Sequence, residues 1–139
     1  GEAIVLFDER GIRGVNQTWL NLMEYQDLSE VLGRMPYEFG PEYQPDGSHS
    51  QKRGEQIVAQ TLKDGAIRFE WVHRTKSGRD IPFDIALAST TLAGKPGFVS
   101  LLRDLSERQA AATELKRRAE ALELAHFKAD TALELTRAG

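Results

Sequence analysis

His73 is the side chain in this sequence best placed to do chemistry. It ends an alternating run, Phe69-Glu70-Trp71-Val72-His73, and in a strand every second residue faces the same way. Phe69, Trp71 and His73 therefore share a face, and a face so aromatic is a core face. An imidazole there has two chemical uses, a hydrogen bond to a bound molecule or an axial bond to a metal. It also has a structural one, a core-edge histidine satisfied by a neighbouring group or water, because buried polar groups are as a rule hydrogen-bonded. The other ionisable candidates are poorer. Asp80 and Asp84 have the opposite parity to Phe83, Ile85 and Leu87, so they face solvent and form no sheltered acid–base pair. There is no Ser/His/Asp order with a glycine elbow, no phosphate-cradling loop and no His/Glu cluster at metal-ligand spacing. No catalytic residue and no metal site are expected. With no cysteine in the chain, disulfides, thiolate zinc sites, iron–sulfur clusters, cysteine nucleophiles and cysteinyl photoadducts are excluded.

The elements that must position His73 are legible from periodicity and punctuation. Residues 3–7 form a short apolar strand closed by the turn Asp8-Glu9-Arg10-Gly11, and residues 12–15 pair back as a hairpin. Asn16 stands where a helix N-cap belongs, ahead of an apolar face made by Trp19, Leu20, Leu22 and Met23. Short helical pieces follow from Ser29 to Phe39, interrupted by Gly33 and Pro36. Residues 40–50 are dense in turn formers and read as an exposed loop. Residues 50–63 make an amphipathic helix with Ile57, Val58 and Leu62 inward, ended by Asp64-Gly65. Three strands close the order, 66–75, 80–91 and 97–103, the first pair joined by a hairpin turn at Gly78. On the third, Phe98, Ser100 and Leu102 share the core face. The opposite face of the sheet carries Arg68, Glu70, Asp84 and Arg103 beside Val72, Ala86, Val99 and Leu101. A half-apolar outer face marks a docking surface. The order predicts an α+β domain, a five-stranded antiparallel sheet with helices on one face.

Length and composition bound the partners. A chain of 139 residues, 40% hydrophobic and 28% charged, is one domain with an appendage. A net charge of −3 gives no basic surface for nucleic acid. No apolar run approaches the ~20 residues that span a bilayer, no signal peptide is visible, and the last helix balances its charges, so no direct membrane contact is expected. The lack of cysteine fits a reducing cytoplasm. The chain begins at Gly1 without an initiator Met and reads as a piece of a longer protein.

After Asp104 the character changes. Leu105, Ala112, Ala119, His126 and Leu133 recur every seven residues, with Arg108, Leu115, Leu122 and Ala129 three further on. That is an a/d seam, weakened at Arg108 and His126. A helix this polar is marginal alone, so pairing is expected, most simply as a parallel dimer, with docking back onto the domain as the alternative. The strand 98–103 runs through Asp104-Leu105-Ser106-Glu107-Arg108 straight into it, a lever arrangement. Asp104, read as the first residue past the strand, can cap the helix amides, with Arg103 and Arg108 as countercharge. Asp104 and Arg108 are thus the expected relay.

Taken in order, several segments resemble a PAS domain: Asp8-Glu9-Arg10-Gly11-Ile12 before Asn16; Asn16, Trp19, Leu22, Met23 and Tyr25 on the first helix; Phe69 through Gly78; Pro82-Phe83-Asp84-Ile85; and Asp104-Leu105-Ser106-Glu107-Arg108. The resemblance covers about residues 2–108. It implies a PAS-like sensor domain over 1–104 and a coiled-coil signalling helix over 105–139. The parent is expected to be a bacterial sensor kinase, cyclic-di-nucleotide enzyme or chemoreceptor whose covalently linked output domain lies elsewhere. The implied role is sensory input and homodimerisation through the helix and the outer sheet face, without catalysis. The alternative is a ligand-free dimerisation or partner-docking module.

The resemblance also narrows the cofactor. Flavin-binding relatives place an amide side chain near the position of His73 and use a reactive cysteine, so a flavin is not expected. Haem-binding relatives use a histidine on the flanking helices, where His49 is the one candidate. Its Ser-His-Ser surroundings offer no apolar pocket, which argues against haem. His126 lacks the acidic neighbour that follows a phosphorylated histidine in kinase dimerisation helices. What remains is an unidentified small organic ligand. Its expected pocket takes Trp19, Met23, Phe39 and Val58 from the helical side. From the sheet it takes Phe69, Trp71, His73, Phe83, Ile85, Leu87, Ser100 and Leu102. The same residues could equally fill the space as ordinary core. The dimer seam is expected at Leu105, Ala112, Leu115, Ala119 and Leu122.

Overall fold

The structure, a computed structural model, describes residues 1–138, with side chains through residue 135. Gly139, the last residue of the expected coiled-coil segment, lies outside the described residues. Five strands, β1 (Ala3–Asp8), β2 (Gly11–Val15), β3 (Ala66–Arg74), β4 (Asp80–Leu92) and β5 (Lys95–Asp104), form one antiparallel sheet in the order β2-β1-β5-β4-β3. The helical segments α1 (Gln17–Met23) and α2 (Ser50–Asp64) and two 3₁₀ turns (Leu28–Glu30 and Pro36–Phe39) lie between β2 and β3 in the chain. The fold is the expected α+β arrangement, and the chain divides into two compact units, Gly1–Leu105 and a second beginning at Ser106. The second is α3 (Ser106–Ala138), a 33-residue helix, about 50 Å long at 1.5 Å per residue.

Parity sorts the sheet as the sequence predicts. Trp71, His73, Phe83, Ile85, Leu87, Phe98, Ser100 and Leu102 are all buried on one face. The register places Phe69 opposite Ile85, Trp71 opposite Phe83, Ile85 opposite Leu102 and Leu87 opposite Ser100. The core-facing residues of β3, β4 and β5 thus form continuous cross-strand rows.

Asn16 does more than cap. Its Oδ1 accepts from Trp19 N at 3.1 Å and from Ile4 N at 2.9 Å, while its Nδ2 donates to the Glu2 carbonyl. One side chain thereby joins the start of β1 to the first turn of α1. The turn after β1 is tied down too. Ile12 N donates to Arg34 O, Gly33 N donates to Ile12 O, and Gly11 at φ +99° packs so closely that a Cβ would run into the Gly33 carbonyl.

Four expectations need correction. Leu62 is 54% exposed, and the fully buried residue on α2 is Thr61. Thr61 lies one turn after Ile57 and returns its hydroxyl to the Ile57 carbonyl at 2.7 Å, so a polar residue satisfies itself within the helix and takes the inward place. Pro36 starts the second 3₁₀ turn rather than breaking it, since proline suits a first helical position. The loop after it is not simply exposed. Gln44 and Ser50 are buried, because β3 is an edge strand whose backbone needs partners. Gln44 supplies them, accepting from Val72 N at 2.8 Å and donating to Val72 O at 3.2 Å. Finally, Asp104 is the last residue of β5, opposite Phe83, rather than the first beyond it. Leu105 N then donates to Pro82 O at 2.8 Å, which carries the β4 contact one residue further before α3 begins.

Candidate functional site

Between the sheet and the helical segments lies a cavity of about 410 Å³, within the range of about 300–1,000 Å³ of small-molecule sites. Ten of the twelve expected pocket residues line it: Trp19, Phe39 and Val58 from the helical side, and Phe69, Trp71, His73, Ile85, Leu87, Ser100 and Leu102 from the sheet. Met23 and Phe83 do not. Both are wholly buried in the packed core, Met23 at the last position of α1 and Phe83 beside the His73 ring at 5.7 Å between centroids. Helix periodicity and strand parity identify an inward face but cannot separate residues that bound a space from residues packed behind them.

Sequence reasoning missed other lining residues: Val5, Phe7 and Ile12 from the strands of the β1–β2 hairpin, Pro36 and Tyr37 from the second 3₁₀ turn, Gly54, Glu55 and Ile57 on α2, and Glu9 in the turn after β1. The hairpin residues share the parity of the buried face, so that signal was present once β1 was known to lie beside β5. Gly54 was legible only as an odd residue inside a helix. A Cβ at position 54 would stand 3.6 Å from the Tyr37 Cβ, an ordinary contact, so the packing against Tyr37 does not itself require glycine there.

His73 is 6% exposed, and its Nδ1 lies 3.1 Å from the Phe39 carbonyl oxygen. A carbonyl only accepts, so Nδ1 carries the proton and Nε2 is left with a lone pair. Burial pushes the His73 pKa down to about 4, the carbonyl contact opposing this in part; the ring is neutral at pH 7. Phe39 is itself fixed by edge-to-face contacts with Trp19 (5.4 Å) and Tyr25 (5.7 Å) and by the Arg34 guanidinium 4.2 Å above its ring. The turn that follows β3, just beyond His73, is held as well. Lys76 N donates to Met23 O, Lys76 Nζ pairs with Glu30 at 2.6 Å, and Glu24 accepts from Ser77 Oγ at 2.6 Å. Hydrogen bonds from Ser77 and Thr75 hold the Glu24 carboxyl below its ordinary range.

His49 is the N-cap of α2, its Nδ1 accepting from Lys52 N, and it is absent from the cavity lining. Among the described residues no group of three or more His, Cys, Asp or Glu could hold a metal ion, and no helix is long and apolar enough to cross a membrane. On the outer face, Asp84 pairs with Arg68 at 2.6 Å and Arg103 with Glu2 at 3.0 Å. Beside them Ile4 and Leu101, directly opposed across β1 and β5, are exposed. On α3, Ala112, Leu115, Ala119 and Leu122 are all exposed, whereas Leu105, expected to open the seam, is buried. Asp104 and Arg108 are both exposed.

The fold and the cavity define a class, an α+β domain with a ligand-sized space between one sheet face and its helices. Neither the protein-family models nor the curated proteins include a match to this chain. Solved structures do. The chain is similar to the PAS domain of an HTR-like protein from Haloarcula marismortui, with 26% identity and a TM-score of 0.60 over 74% of this chain and 80% of that one. It is also similar in fold to a PAS domain from a two-component sensor histidine kinase, with 14% identity and a TM-score of 0.59 over 74% of this chain and 84% of that one. The first unit, Gly1–Leu105, thus has a PAS-like fold, and the long helix α3 follows it in the chain.

Proposed function

We propose that this chain is the sensory input module of a signal-transduction protein. A small molecule enters the cavity, the sheet adjusts, and β5 passes the change to α3, which pairs with a second copy as a parallel coiled coil and leads to an output domain. The observation that carries this reading is the double duty of β5. Ser100 and Leu102 line the cavity, and two residues after Leu102 the same strand ends and gives way to α3. A ligand touching Ser100 acts on the strand that delivers the helix, and the two helix-pairing states differ in population according to occupancy. A row of exposed Leu on α3 supports pairing, since Leu115 is 69% and Leu122 61% exposed in the single chain. The likeness to domains of a sensor kinase and an HTR-like protein supports a non-catalytic role in signalling. Relay through Asp104 and Arg108, and a cytoplasmic setting, belong to the same proposal.

A second reading has its own support. The opposed, exposed Ile4 and Leu101 on the outer sheet face suit a constitutive dimer or docking module. Native mass spectrometry of the purified protein, with a denatured control and an absorbance spectrum, separates the two. A small mass lost on denaturation supports the sensor. A dimer that carries no mass, and gains none from a small-molecule library, supports the constitutive module.

A further inference from the structure

The cavity is not uniformly apolar, and its polar atoms are arranged. His73 Nδ1 is committed to the Phe39 carbonyl, and among the described residues no other hydrogen bond reaches the ring. Ser100 is 7% exposed, and its hydroxyl likewise has no partner among the described residues. Among the described residues no fully sealed side-chain nitrogen or oxygen lacks a partner. The unpartnered His73 Nε2 and Ser100 Oγ are therefore open, and both residues line the cavity. Nε2 of the Nδ1–H tautomer can only accept.

Charge narrows the occupant further. Among the described residues that line the cavity none is Lys or Arg, and the charged ones are Glu9 and Glu55, both exposed. An anion would leave water without a countercharge and would meet these two carboxylates. Water alone is a poor filler, because an ordered molecule needs two to four polar partners and most of the lining is Val, Ile, Leu, Phe and Trp.

Resting on the sensor reading above, we infer that the cavity selects an uncharged, largely apolar small molecule bearing an N–H or O–H donor, which it presents to His73 Nε2 with Ser100 Oγ as a second polar contact. Burying an acceptor without a donor carries a penalty, so the matched molecule without its donor binds about tenfold more weakly.

Three matched pairs test this by NMR titration of the whole chain: indole against 1-methylindole, phenol against anisole, and cyclohexanol against methoxycyclohexane. Indole-3-acetate serves as the anion. The donor-bearing member of at least one pair is expected to bind about tenfold more tightly than its methylated partner and to shift the His73 Nε2 resonance, which the methylated partner leaves in place. In His73→Phe the preference within that pair collapses. Should that variant not fold, the wild-type Nε2 shift decides alone. Equal affinities within every pair, or tightest binding of indole-3-acetate, overturn the donor assignment while leaving a cavity that binds ligands. No binding by any of the seven overturns it too, and the sensor reading then stands or falls on the native mass measurement. A porphyrin or other metal centre on Nε2, seen as a visible absorption band in the purified protein, overturns it directly.

Discussion

His73 Nδ1 lies 3.1 Å from the carbonyl oxygen of Phe39, thirty-four positions earlier in the chain. The contact ties edge strand β3 to the second 3₁₀ turn at the cavity wall, and it sets which imidazole nitrogen carries the proton.

This burial makes stability depend on pH in a defined window. The folded-state pKa is about 4, against about 6.5 for a free imidazole. Above pH 6.5 both folded and unfolded chains hold a neutral ring, and the stability is fully present. Between pH 6.5 and 4 the unfolded chain takes up a proton that the folded one refuses, and stability falls. Below 4 the contribution levels off, after a loss on the order of 3 kcal/mol. Urea unfolding from pH 7.5 to 4 checks this, the expected result being a drop that is absent in His73→Phe. Equal slopes for the two proteins would refute it.

Asn16→Ala removes a helix cap and the tie to Ile4 and Glu2 together. A cap alone is worth about 1 kcal/mol, and the added strand contacts bring the expected loss to about 2 kcal/mol. Thermal unfolding measures it. A loss no greater than that of an exposed-helix substitution such as Gln56→Ala would show that the strand contact carries nothing.

Two glycines separate backbone strain from collision. Gly47 has φ +89° and open space where a methyl group would stand, whereas Gly11 at φ +99° faces the Gly33 carbonyl. Gly47→Ala is expected to cost about 1 kcal/mol. Gly11→Ala is expected to cost on the order of 3 kcal/mol or more, because rigid backbone must move. Similar unfolding midpoints for the two variants would contradict the close approach.

Gln44→Ala leaves the backbone of Val72 without its side-chain partner on the open edge of the sheet. The Val72 amide is expected to lose hydrogen-exchange protection by about tenfold or more, while amides of β5 keep theirs. Unchanged exchange at Val72 would mean that the loop does not guard this edge.

What could be read ahead of the structure depends on the kind of information each residue held. Strand parity placed His73, Ser100 and Leu102 on the inner face because a period of two survives any tertiary setting. Asn16 was legible as a cap because capping is local. Gln44 was not, since its partner Val72 is 28 positions away and glutamine in a turn-rich loop looks like any solvated residue. Leu62 misled for a related reason. Hydrophobicity argued that it faces inward, but the helix turned Thr61 inward instead, where a hydroxyl bonded to its own backbone costs little. The free Nε2 of His73 was beyond sequence altogether, because it depends on a carbonyl supplied by another element.

Whether occupancy of the cavity alters how α3 pairs is decided by disulfide crosslinking. The chain has no cysteine of its own, so Ala112→Cys and Leu115→Cys each report one seam position without background. Each variant is oxidised with and without saturating indole, binding being verified in the same sample by NMR. If the strand relays occupancy to the helix, the ratio of the two crosslinking yields changes by at least about twofold on binding. An unchanged ratio with the cavity demonstrably filled would rule that relay out.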